Sequence, residues 1–248
     1  VNSSEAEITE RRVVVWFSCG AASAVAALLA LKFYGPPRVQ IVYCDTLASE
    51  DSDNARFLAD VSKWLHHPIH VIKSKKYDSI DEVFEQERFM SGPKGARCTI
   101  EMKKVPRFNY QRPDDIHVMG LTLDEHKRIE DFEPRNPELT CHWILRDSFI
   151  RKKDCYRILR EAGIDLPRMY SLGFEHNNCI GCVKATSPAY WQQIAKHYPK
   201  HYARRARQSR DIGARLVRVN NERIFLDELD LTAIYPNGDQ TVECGLFC

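Results

Sequence analysis

The sequence predicts an α/β protein built on a doubly wound parallel sheet, with a helical, loop-rich C-terminal portion. Three observations lead there. Short continuous apolar runs rich in β-branched residues read as strands buried on both faces. Helical segments alternate with them, as crossovers between parallel strands require. From about Asp131 that alternation stops while helical segments continue.

The elements follow in order. Arg12 to Phe17 (Arg-Val-Val-Val-Trp-Phe) is the first strand and ends at Ser18-Cys19-Gly20. Ala21 to Phe33 carries Ala and Leu on nearly every side and stops at Gly35-Pro36-Pro37, which marks a buried helix followed by breakers. Val39 to Cys44 is the second strand. Asp53 to Leu65 is a helix with Phe57, Leu58, Val61 and Leu65 on one face, and Ile69 to Ile72 a third strand. Ile116 to Met119 forms a further strand before Gly120. Beyond a boundary near Asp147, helices are predicted at Lys152 to Ala162, Pro188 to His197 and His201 to Ile212. Arg215 to Leu226 reads as a hairpin turning at Asn220-Asn221, because Asn tolerates left-handed backbone.

Composition narrows the class. Lys and Arg number 36 against 34 Asp and Glu, a net charge of +2 that gives no global attraction to nucleic acid or membrane. With 44% hydrophobic residues the chain has material for a sizeable core, which excludes disorder and collagen-like or coiled-coil architecture. No apolar run is long enough to cross a bilayer, and the opening residues lack the order of a secretory signal. A cytoplasmic, soluble protein with no membrane partner is therefore expected. In a reducing compartment its nine cysteines are not held in structural disulfides, so some are expected to be ligands or nucleophiles. Cys44 and Cys141 read as small buried hydrophobes.

In open α/β sheets ligands bind beyond the carboxyl ends of the strands, which makes the turn Ser18-Cys19-Gly20-Ala21-Ala22-Ser23 the natural anion site. It has neither the Gly-Lys-Ser/Thr ending of a P-loop nor the glycine spacing of a dinucleotide fingerprint. Tight packing of helix on strand explains such a turn equally well. Further on, Cys179-Ile180-Gly181-Cys182 can bring two thiolates to one metal centre, zinc or iron.

With the Ser18–Ser23 loop, Asp45-Thr46 after the second strand, and Gly120-Leu121-Thr122-Leu123-Asp124-Glu125-His126-Lys127-Arg128, the chain resembles the phosphoadenylyl-sulfate (PAPS) reductase family of the adenine-nucleotide alpha-hydrolase superfamily. The resemblance implies residues 1–147 as an adenine-nucleotide-binding domain and 148–248 as a cysteine-containing region with a reactive tail. It implies an adenine nucleotide (PAPS, APS or ATP) held along Ser18, Cys19, Gly20, Ala21, Ala22 and Ser23, with Asp45, Thr46 and Gly120 beside it and Lys103 and Arg128 facing phosphate. ATP pyrophosphatases of the superfamily carry Lys and Asp where this chain has Ala21 and Ala22, which leans toward a sulfonucleotide.

Cys98, in Arg97-Cys98-Thr99-Ile100-Glu101-Met102-Lys103-Lys104-Val105-Pro106, matches the segment in which iron–sulfur members of that family use a Cys-Cys pair with a later C-x-x-C to bind a [4Fe-4S] cluster. Arg97 stands where the first Cys of the pair would be. Cys98, Cys179 and Cys182 are thus expected ligands, with Cys155 as the candidate fourth because it lies on the helix preceding the C-x-x-C loop. The rivals are an open iron, as in nucleic-acid-thiolating relatives, and zinc. The end, Glu243-Cys244-Gly245-Leu246-Phe247-Cys248, resembles the family's tail, which implies Cys244 as nucleophile and a thiol electron donor such as thioredoxin as partner.

Between Lys196 and Arg218 eight basic residues meet one acid, Asp211, so the segment is expected either to dock a ribose phosphate or nucleic acid or to be a solvated helix face. The expected function is a sulfonucleotide reductase-like enzyme. The alternatives are a cluster-dependent sulfur transferase acting on nucleic acid and a non-catalytic metal-stabilised binding module.

Overall fold

The computed structural model describes residues 11–92 and 95–235. Its centre is a five-stranded parallel sheet built from β1 (Val13–Phe17), β2 (Val39–Cys44), β3 (Ile69–Ile72), β6 (Ile116–Met119) and β7 (Thr140–His142), in the order β3-β2-β1-β6-β7. Two short antiparallel hairpins stand apart, β4 (Ser91–Gly92) with β5 (Gly95–Ala96), and β8 (Val217–Val219) with β9 (Glu222–Ile224). The α/β class and helical C-terminal portion are as expected. The edge strand β7 is the addition: three residues, Thr-Cys-His, partly exposed and without an apolar run, leave no strand signature.

Strand order reverses direction at β1, whose neighbours are β2 on one side and β6 on the other. Such a switch opens a crevice beyond the carboxyl ends of the two central strands. Both strands are buried on both faces. Val13, Val15 and Phe17 face one core, shared with α1 (Ala21–Tyr34), while Val14 and Trp16 face the other, with Met119, Phe132 and Trp143. The small side chains of α1 let it lie close between the sheet and the later helix α4 (Lys152–Glu161), which accounts for its burial on nearly every side. Between them in sequence come α2 (Asp53–Trp64) and α3 (Ile80–Glu87).

A third core gathers Tyr77 to Met102 with the C-terminal portion, including α5 (Pro188–His197) and α6 (Pro199–Ile212). The cores do not divide at Asp147. Cys155, Leu159 and Ile164 belong to the sheet's core, while Ile80, Phe84 and Met102 pack with Trp191 and Leu216. The hairpin turns where expected, with φ of 48° at Asn220 and 67° at Asn221. No described helix is long and apolar enough to cross a membrane.

His117 on β6 has a consequence for acid stability. It is buried, accepts a hydrogen bond at Nδ1 from Trp16 Nε1 (3.1 Å) and stacks on that indole. Burial lowers its pKa to about 4. The unfolded chain, with a pKa near the ordinary 6.5, binds the proton first, so stability is complete above pH 6.5 and falls as pH drops toward 4. The full loss is about 3 kcal/mol. Urea unfolding of wild type and His117→Gln at pH 7.5 and 5 checks this: the variant loses distinctly less stability on acidification, and equal losses would refute it.

Candidate functional site

The turn after β1 is shaped by its own polar atoms. Ser23 Oγ accepts from the Ser18 backbone N–H (3.1 Å) and donates to the Gly20 carbonyl (2.9 Å), closing the loop on itself. Cys19 is buried in the left-handed region at φ 55°, and its carbonyl accepts from Asn177 Nδ2 at 2.7 Å. Gly20 caps α1 without a side-chain hydrogen bond. The backbone N–H of Ala21, which an anion would use, instead meets the hydroxyl of Tyr170, also bonded by the N–H of Asn177. Sequence reasoning gave no sign of this phenol, which arrives from a short helix (Arg168–Ser171) about 150 residues away and has no local signal.

The second loop meets the first. Glu50 is buried, and its carboxylate accepts from Tyr43 Oη (2.9 Å), Thr46 Oγ1 (2.5 Å) and Asn54 Nδ2 (2.7 Å). Asn54 Oδ1 in turn accepts from Asn177 Nδ2 at 2.8 Å. Thr46 is thus committed to an internal network. Asp45 holds the Leu47 N–H (3.2 Å) and pairs with exposed Lys73 at 3.2 Å. Gly120 packs directly on the first turn of α1, and Arg128 pairs with Glu125, whose carboxylate also caps Thr122.

The C-x-x-C segment is pinned to this floor. Ile180 N–H donates to the Ser49 carbonyl (2.9 Å), Cys182 N–H to Tyr190 Oη (2.9 Å), and Ser91 Oγ to the Val183 carbonyl (2.9 Å). Gly181 sits at φ 68° with Trp191 only 3.3 Å from where a Cβ would stand, so both conformation and space require glycine. On the facing side Cys98 opens a helical segment that widens into a π-turn at Ile100–Lys104, carrying Lys103 inward.

Cys98, Cys179 and Cys182 line one cavity of about 20 Å³, together with Thr99, Lys103, Lys184 and Arg205. Burial raises the Cys98 thiol to about 11 and pushes Cys179 up further, each also opposed by the charge of Cys182. Burial opposes the charge of Lys103 too, yet Cys179 and Glu50 hold its pKa above the usual value. Burial thus opposes the charged form of both Cys98 and Cys179. A metal centre is what would make them thiolates, and the surrounding cations favour one that is anionic overall. Among the described residues no three His, Cys, Asp or Glu side chains are gathered as around a single ion. Tetrahedral zinc would need sulfurs about 4 Å apart. In its chemistry, three thiols beside three cations, the donor set fits a thiolate-bound anionic cluster.

Cys155 is not among them. It lies in the sheet's core on α4, fully buried, its thiol pushed up to about 12 by burial and by Asp154 and Glu125. Helical periodicity turns it onto α1, where it serves as a small apolar side chain, which corrects its expected role as a fourth ligand. Arg97 turns away from the cavity to Glu87 (2.8 Å) and Glu101 (2.9 Å). Cys244 and Cys248 fall outside the described residues.

Among the described residues, three of the eight basic residues between Lys196 and Arg218 pair with acids, two of them sharing one carboxylate. Arg204 and Arg205 pair with Asp81 at 3.1 and 3.0 Å, Arg210 with Asp227 and Glu228, and Arg215 lies over the Phe225 ring. Neither protein-family models nor curated proteins match the chain.

Proposed function

We propose that this chain is an iron–sulfur enzyme of the sulfonucleotide reductase type. Its nucleotide would lie in the crevice between the carboxyl ends of β1 and β6, beside a [4Fe-4S] cluster held by Cys98, Cys179 and Cys182. The observation that carries the reading is the meeting of these three thiols in one cation-lined cavity, Cys179 and Cys182 lying 81 and 84 residues after Cys98, next to a segment that Asn177 ties to the turn after β1 and Ile180 to the Ser49 carbonyl beyond β2. The cluster when bound would supply local charge and structure to the site. The covalent work falls to Cys244.

In that chemistry the Cys244 thiolate attacks the sulfur of PAPS or APS. A sulfur–sulfur bond forms as the sulfur–oxygen bond to phosphate breaks, and the adenosine phosphate leaves. A thiol of the thioredoxin class then attacks Cys244 Sγ and sulfite departs. The two thiols end as a disulfide, which supplies the two electrons. In this reading Lys103, and Arg128 from its pair with Glu125, would be the cations that meet the departing phosphate, and a phosphate reaching the Ala21 N–H would displace the Tyr170 hydroxyl.

The placement of Cys155 favours a second reading, a nucleic-acid sulfur transferase whose cluster keeps one iron without a cysteine. The test is Cys244→Ser with PAPS and APS. The reductase reading expects loss of turnover by at least a hundredfold with iron content and nucleotide binding unchanged, and a sulfonate adduct on Cys244 of wild type without reductant. No adduct by intact-protein mass spectrometry with either sulfonucleotide overturns it in favour of the transferase.

A further inference from the structure

Two polar groups at the cysteine cavity are left over by the packing around them. Thr99 is buried, and its Oγ1 has no hydrogen-bond partner among the described residues. Arg205 is buried, and its Nε likewise has none. Both residues line the cavity between Cys98, Cys179 and Cys182.

The guanidinium of Arg205 is fixed in orientation. Its Nη1 edge donates to Gln208 Oε1 (2.7 Å) and pairs with Asp81 at 3.0 Å, and its plane lies over the Phe84 ring at 4.7 Å. Gln208 is itself held by Glu85 at 2.9 Å. One edge is thus locked to α3 and α6 while Nε–H faces no acceptor. Leaving a donor buried and unmade costs about 1–3 kcal/mol, so two such groups on one small cavity mark the place of a missing acceptor. Thiol sulfur is a weak acceptor, and the sulfide and thiolate sulfurs of an anionic cluster are stronger ones.

We infer that Thr99 and Arg205 are the hydrogen-bond donors to the sulfur atoms of the cluster, and that they set its reduction potential. This rests on the cluster reading above and adds to it which side chains tune the centre. The physical reason is charge: reduction adds an electron to the sulfur-rich cluster, donors to sulfur stabilise the more negative state, and removing a donor lowers the potential. Neither residue is a ligand, so iron content should survive their exchange.

The experiment is an EPR-monitored redox titration of the full-length chain reconstituted anaerobically with ferrous iron and sulfide, comparing wild type, Thr99→Val and Arg205→Lys. Thr99→Val keeps shape and removes only the hydroxyl; Arg205→Lys keeps charge and removes Nε. Each is expected to lower the reduced-to-oxidised ratio at fixed potential about tenfold, equivalent to 59 mV for one electron. Metal-free Thr99→Val should melt no lower than metal-free wild type, since it deletes an unpaired buried hydroxyl. An unchanged potential in Thr99→Val at wild-type iron content overturns this inference and leaves the cluster reading standing. A wild type that takes up zinc and no iron overturns both.

Discussion

On the proposed cluster reading, exchanging Cys179 for Ser is expected to abolish iron binding by anaerobically reconstituted protein, whereas exchanging Cys155 for Ala is expected to leave iron and sulfide at the wild-type ratio to protein. The contrast follows from where the two thiols stand. Cys179 shares a cavity with Cys98, Cys182 and three cations, so its loss deletes one of three thiolates from the centre. Cys155 stands in the sheet's core against α1, and the charges nearest it are the carboxylates Asp154 and Glu125, which repel a thiolate. Its exchange for Ala removes a buried sulfur and should cost about 1 kcal/mol of stability, visible in a urea titration but not in the iron assay. Iron and acid-labile sulfide quantification on both variants is the measurement. Equal loss of iron in the two would overturn the assignment of the cavity.

The second large effect is predicted at Gly120. A Cβ there would stand 2.6 Å from Ser23 N, 2.7 Å from Ser23 Cα and 3.0 Å from the Ala22 carbonyl carbon, all of them backbone atoms. No rotamer change relieves such a contact, so Gly120→Ala must push the loop after β6 away from the first turn of α1. The expected loss is about 3 kcal/mol, a drop in Tm of roughly 6–12 °C for a chain of this size. Gly163→Ala is the matched control. There φ is +73° and nothing lies within 4 Å, so only conformational strain of about 1 kcal/mol applies. Gly120 is therefore needed for the space it leaves, Gly163 for the conformation it allows. Differential scanning calorimetry on both variants checks the ranking, and a Gly120→Ala protein melting with wild type would refute it.

The elements of the fold are legible in the sequence because their signals are local. The run Val13–Phe17, the small-residue turn and the Ala-rich α1 announce a buried strand and crossover within about two dozen residues, and Asn220-Asn221 announces a turn by conformational tolerance alone. The edge strand β7 is not legible, since a three-residue partly exposed strand gains its identity from pairing with β6. The candidate site divides in the same way. The C-x-x-C and the loop after β1 are visible as motifs.

What the sequence by itself determined is the class of fold, the buried strand and crossover helix on either side of the turn after β1, and the C-x-x-C as a motif. The tertiary structure alone decided the rest. It set Cys155 in the wrong core for a ligand, placed Arg204 and Arg205 together on the single carboxylate of Asp81, and brought Tyr170 to the start of α1. The physical reason is range. Backbone preference and hydrophobic period act over a few residues, and so can be read along the chain. Which buried groups share a cavity depends on contacts between residues a hundred positions apart, where proximity in sequence, the ground for expecting Cys155, carries no information about proximity in space.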